Sequence, residues 1–108
     1  MKIPDRGDIL IVNLSPTLGH EQSGTRPVVV VSNADFNQSG MALICPITNR
    51  TRNNFFEVKI ATKKTKGFIL SYHLRSIDYI FRKARIVDKV DETQLVEILD
   101  KARIILES

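Results

Sequence analysis

Cysteine is almost missing: Cys45 stands alone among 108 residues. A single thiol cannot close an intrachain disulfide, and it cannot build a zinc or iron–sulfur site on several thiolates. Tryptophan is absent altogether. Apolar runs are short, Val28 to Val31 among them, whereas a membrane-spanning helix needs ~20 such residues. Met1 to Arg6 leads straight into charged sequence with no apolar stretch, so no signal peptide is expected and the chain reads as cytoplasmic. The familiar catalytic spacings are also lacking. There is no glycine-rich phosphate loop, no His-Glu-x-x-His, no cysteine pair and no nucleophile elbow. Asp5 and Asp8 lie close together, but they read as a turn residue and a surface residue, because a hard cation needs several converging oxygens. No metal and no cofactor is implied.

What remains is the composition of one globular domain over residues 1–108, with 43% hydrophobic and 26% charged residues. The charge is unevenly spread. Residues 50–85 hold ten basic side chains against Glu57 and Asp78, a local balance of +8, while the flanks carry −1 and −3. Such a concentration suits a phosphate backbone or an acidic protein partner, and charge by itself does not choose between them.

Apolar runs separated by turn residues predict strands at Asp8–Leu14, Arg26–Val31, Met41–Ile47, Phe55–Ile60, Gly67–Leu70 and Ala84–Val90. Arg75–Asp78 reads as a strand fragment or a tight turn, and residues 33–40 as a polar connection with room for a helical turn. The unbroken valines of the second run imply burial on both faces. Pro27 lacks an amide donor and is expected at the first residue of that strand, and Pro46 near the end or edge of the third. Asp91 is a good N-cap with Gln94 three residues on. Leu95, Ile98, Leu99, Ala102, Ile105 and Leu106 then recur on one helical face. Many short strands and one terminal helix predict a mainly β fold, a small antiparallel barrel or curled sheet with a C-terminal helix packed on it.

Three polar clusters could carry chemistry. Gly19-His20-Glu21-Gln22-Ser23-Gly24-Thr25-Arg26-Pro27 packs an imidazole, a carboxylate, an amide and a guanidinium into a loop that feeds the valine strand. Arg26 at the mouth of that strand would be partly desolvated, where its planar fork grips a phosphate best. The plain alternatives are an Arg26–Glu21 pair and an exposed His20. Thr48-Asn49-Arg50 follows the third strand, and there a hydroxyl often only caps its own backbone. Ser71-Tyr72-His73-Leu74-Arg75 interrupts two apolar stretches.

Gly7-Asp8-Ile9, Leu14-Ser15-Pro16-Thr17 and the stretch from Gly19 to Val30 closely resemble the opening of the MazF/PemK (Kid) toxins, the messenger RNA interferases of type II toxin–antitoxin modules. The likeness continues through Cys45-Pro46-Ile47-Thr48, through Gly67 to Asp78, and into the terminal helix. The resemblance implies an SH3-like small barrel of the PemK/CcdB type, a homodimer, and an acidic antitoxin. It also implies metal-independent, sequence-specific cleavage of single-stranded RNA by attack of the 2′-hydroxyl. Residue by residue it puts Arg26 and Thr48 at catalytic positions, with Glu21 and His20 as proton carriers. Gln22, Asn49, Arg50, His73 and Arg75 are the expected RNA contacts. One departure stands out: Tyr72-His73 replaces an Asp-Gln pair usual in the family, and Leu70 replaces an arginine of the Kid branch. Two other readings follow from the same likeness. A gyrase-poisoning toxin of the CcdB type shares the barrel but relies on tryptophan, which this chain lacks, and a non-catalytic member would bind RNA or antitoxin without cutting.

Overall fold

The computed structural model describes residues 2–16, 19–22 and 24–107; Thr17 and Ser23 of the opening motif lie outside them. Seven strands and two helices follow in the order β1 (Asp8–Asn13), β2 (Thr25–Val30), α1 (Ala34–Asn37), β3 (Met41–Thr48), β4 (Glu57–Ala61), β5 (Lys66–Leu70), β6 (Arg75–Asp78), β7 (Arg85–Lys89) and α2 (Glu92–Glu107). The strands make one curled antiparallel sheet, ordered β4-β5-β3-β2-β1-β7, with β6 added on β3.

Alternation along the central strands builds two cores. Val29 and Val31 join Ile9, Cys45, Ile47, Ile69 and Ile98 on one face, while Val28 and Val30 join Leu10, Val12, Ile44, Ile77 and Tyr79 on the other. The valine run is therefore buried on both faces, as its composition requires. Each fully buried Val, Leu or Ile side chain contributes about 1.5–3 kcal/mol. Helix α2 closes the first face through Ile98, with Leu95 and Leu99 half-buried against it, and Ala102 is buried a turn further on. The Gln94 backbone N–H donates to Asp91 Oδ1 at 2.7 Å, the expected N-cap. Ile105 and Leu106, expected on the buried face of the helix, are exposed.

The position of Pro27 and the start of β4 depart from expectation, and the reading left open for Arg75–Asp78 resolves to a strand. Pro27 is the third residue of β2, opposite Ile11, and not the first. The Leu14 N–H to Gly24 C=O bond sets the alternation here, making Ile11 and Pro27 a pair without mutual hydrogen bonds. The proline nitrogen thus faces β3, where pairing starts at the next residue, Val28, so the missing donor falls at the end of that ladder. Strand β4 begins at Glu57, because Phe55 and Phe56 form a turn in which their rings meet edge-on at 5.2 Å. Arg75–Asp78 is a strand, β6, paired with Met41–Ile44.

Pro46 lies inside β3 at a break in its ladder. On one edge, β3 pairs with β6 up to Ile44↔Arg75 and with β5 from Ile47↔Ile69. Cys45 and Pro46 there stand opposite residues 70–74, so the chain bows out. The Val31 N–H to Leu43 C=O bond implies that Pro46, opposite Val28, turns its nitrogen into that gap, where there is no partner strand to require a donor. The bow carries Ser71, Tyr72, His73 and Leu74, closed by a His73 N–H to Leu70 C=O bond of 3.0 Å.

Candidate functional site

The end of β3 is held where it is by a glycine. A Cβ on Gly67 would sit 2.5 Å from the Thr48 carbonyl oxygen and 3.1 Å from Ile47 Cγ2, and its φ is +153°. Only glycine lets β5 approach β3 this closely, and the approach fixes Thr48 at the rim of the core. Thr48 Oγ1 accepts the Arg50 N–H at 3.3 Å, so the hydroxyl does cap its own backbone, yet its O–H remains able to donate.

Arg26 and Thr48 line the same cleft, about 240 Å³, together with Pro27, Ile47, Asn49 and Lys66. Arg26 is half-buried and Thr48 buried. Asn49 and Lys66 also line an adjoining recess that reaches Lys59, Ala61 and Phe68. Among the described residues, neither wall includes a carboxylate. Two adjacent cavities with Arg26, Lys59 and Lys66 around them make a cationic groove beside a hydroxyl and a carboxamide, a composition suited to a phosphodiester.

A second cavity of about 190 Å³ opens at the β5–β6 bow, lined by Glu21, Gln22, Pro46, Tyr72, His73, Leu74 and Arg75. It lies on the same stretch of β3: Pro46 lines this cavity and Thr48 the first, and residues two apart on a strand share a face. The Tyr72 and His73 rings pack edge-on, with centroids 4.7 Å apart and planes at 86°. Burial, and after it the Arg52 guanidinium, hold the His73 imidazole below its ordinary value of 6.5, while Glu21 pulls the other way. At neutral pH the ring is uncharged.

The fold therefore gathers seven of the nine residues singled out in the sequence into two neighbouring cavities. Arg26, Thr48 and Asn49 share one; Glu21, Gln22, His73 and Arg75 share the other. His20 and Arg50 are exposed and line neither. Lys59, Lys66 and Arg52 were not singled out; their signal was the basic stretch 50–85, which only the strand pairing resolves into a groove. Glu57 was not foreseen either. Its buried carboxylate accepts the Thr51 hydroxyl at 2.8 Å and the Arg52 N–H at 2.9 Å, folding the β3–β4 loop toward the site. Lys101 of α2 reaches the Glu57 carbonyl at 3.1 Å and lies 4.8 Å from the Phe55 ring centroid, tying the base of that loop to the helix.

A curled half-barrel closed by a C-terminal helix, with a cationic groove where its central strand ends, places the molecule among small β-barrel proteins built to bind a polyanion. The family model described as PemK-like, MazF-like toxin of type II toxin–antitoxin system matches residues 5–106. The chain belongs to that family. It is 36% identical to endoribonuclease PemK of Escherichia coli over 108 residues, 94% of this chain and 81% of that protein. The crystal structure of MazF from Deinococcus radiodurans superposes with a TM-score of 0.94 at 33% identity, covering 100% of both chains. A chain in a MazE–MazF complex from the same organism gives 0.85 at 28% identity, covering 99% of this chain and 98% of that one. The SH3-like, mainly β architecture expected from the sequence matches these MazF structures.

Proposed function

We propose that this chain, an endoribonuclease toxin of the PemK/MazF kind, cleaves single-stranded RNA at a short sequence without a metal ion and is neutralised by a cognate antitoxin. The observation that carries the reading is the shared cleft of Arg26 and Thr48, with Asn49 and Lys66 in its wall. In the proposed step the 2′-oxygen of a ribose bonds to the adjacent phosphorus and the bond from phosphorus to the 5′-oxygen breaks. The 2′-proton passes to water, the departing 5′-oxygen takes up a proton from water, and the products are a 2′,3′-cyclic phosphate and a 5′-hydroxyl.

The step concentrates negative charge on the phosphoryl oxygens, and a fixed cation stabilises that charge most where it is partly desolvated. Half-buried Arg26 takes this role. It serves poorly as a proton acceptor, because a guanidinium stays charged. Thr48 donates its hydroxyl to a phosphoryl oxygen and Lys66 adds a second positive charge. Glu21 lines the neighbouring cavity and not this one, which favours contact with a flanking nucleotide over proton transfer at the scissile phosphate. His20 lines neither cavity, and the same reasoning removes it from the reacting centre.

The MazE–MazF complexes of Deinococcus radiodurans support an antitoxin partner for this chain, and the basic segment 50–85 suits an acidic one. A homodimer is the expected assembly. The test is cleavage of a long defined RNA, with the product ends identified. Arg26→Ala is expected to lower the rate about 10²–10³-fold, the usual loss when a donor to developing charge is removed. Thr48→Ala is expected to slow the reaction as well, and activity should persist in EDTA. Near wild-type cleavage by Arg26→Ala would reject the assignment, and RNA bound but left intact by the wild type would favour a non-catalytic member.

A further inference from the structure

The groove around Arg26 and Thr48 accounts for a phosphate but not for a sequence preference, since a phosphodiester is the same at every step of the chain. The cavity at the β5–β6 bow has the complementary composition. Tyr72 and His73 supply aromatic surface in two planes set at 86°, and Pro46 and Leu74 add apolar wall. Glu21, Gln22 and Arg75 supply a carboxylate, a carboxamide and a guanidinium. Its volume, about 190 Å³, is below the roughly 300 Å³ at which drug-sized pockets begin, so it suits a single ring system. A flat, polarisable heterocycle with hydrogen-bonding edges is the ligand such a lining recognises, and stacking on aromatic rings is the usual way an unpaired base is held.

We infer that this cavity takes one unpaired guanine base of the RNA, stacked on the Tyr72–His73 pair and read along its edges by Glu21 and Arg75. The choice of base follows from donor and acceptor pattern. Guanine offers O6 and N7 as paired acceptors to a guanidinium fork. Its N1–H and 2-amino group are paired donors, which a carboxylate can accept together. Adenine, cytosine and uracil each lack one of these pairs. The uncharged His73 ring stacks without bringing a second cation against Arg75. Pro46 lines this cavity and Thr48 the other, two residues apart on one face of β3, so a base held here belongs to a nucleotide close to the scissile phosphate.

The inference rests on the ribonuclease reading, and the experiment separates the two. A randomised single-stranded RNA pool is digested with the wild-type chain and the cut sites are sequenced. A short substrate built on the recovered site is then made with inosine or 7-deazaguanine at each guanine. The expected result is a guanine at one fixed position near the cut, and a loss of about tenfold in kcat/KM with either analogue there, the size of one paired contact. Tyr72→Phe should keep that preference, and Tyr72→Ala combined with His73→Ala should relax it. Cleavage indifferent to guanine, or to both analogues, overturns this inference and leaves the nuclease reading standing. Loss of cleavage in Tyr72→Phe overturns the stacking role, because the hydroxyl would then be the working group. A wild-type chain that leaves the whole pool intact overturns both.

Discussion

Two titratable residues near the centre of the sheet have opposite environments, and each has its own consequence. Cys45 is fully buried in β3 opposite Val29 of β2, and burial pushes its thiol up to about 12. Thiolate is the reactive form, so the native protein should resist a disulfide reagent at pH 8 and react fully once unfolded in guanidinium. Rapid labelling of the folded chain would contradict this burial. His73 is held below 6.5, so on acidification the unfolded chain takes up this proton before the folded one does. For this group stability is level above about pH 6.5 and falls as the pH drops from there toward the folded value. An NMR titration of the His73 ring should give a midpoint below 6.5. Substituting Arg52→Ala should raise it, since the guanidinium is one of the two causes holding it down.

Strand-level geometry explains why Thr48 is where it is. The contact of Gly67 against the Thr48 carbonyl leaves no room for a side chain, and the backbone there has positive φ. Gly67→Ala must push β5 from β3 at the point where Thr48 faces the cleft. The expected cost exceeds about 1 kcal/mol in urea denaturation, as for alanine at a conformation it does not favour. RNA cleavage should fall further than the lost stability explains. A variant as stable and active as the wild type would show that the two strands can separate freely. The β3–β4 loop is organised by other means. Glu57 holds it from inside through Thr51 and Arg52, and Lys101 braces its base from α2. The Arg52 charge felt by His73 depends on that fold of the loop.

Across the whole molecule, the decisive property is where the basic residues finish. Residues 50–85 span β4, β5 and β6 and their connections, so the excess of +8 falls mainly on one side of β3. Lys59 and Lys66 line the groove that continues the Arg26–Thr48 cleft. Binding of single-stranded RNA should therefore weaken linearly in log–log terms as salt rises. Lys66→Ala should reduce the magnitude of that slope by about 0.7, the share of one phosphate contact on a single strand. Lys83→Ala, on the β6–β7 turn and outside the groove, serves as the comparison and should leave the slope unchanged. An equal effect from both would mean that RNA meets only diffuse charge. Fluorescence anisotropy with the Arg26→Ala protein measures the slope without cleavage.

Local pattern was enough for much of this. Valines at consecutive positions have no polar face, so a strand buried on both sides was legible in Val28–Val31 alone. Asp91 and the apolar spacing from Leu95 to Ala102 likewise marked the start and buried face of α2. The opening motif and Thr48 pointed to the residues that now share a cleft. Other features depend on chain segments far apart in sequence. Phe55 and Phe56 have strand-like composition, yet they form a turn closed by the Glu57 N–H donating to the Asn54 carbonyl at 3.1 Å, with Lys101 of α2 over the Phe55 ring. Lys66 is by sequence one of ten basic residues in 50–85, and the pairing of β5 with the end of β3 brings it into the cleft. The division into two cavities, with Glu21 and His73 in one and Arg26 and Thr48 in the other, follows from the bow opposite Pro46. Short-range spacing determines which elements form; which side chains share a cavity is decided by strand register, because a pairing shift of one residue turns every side chain to the opposite face.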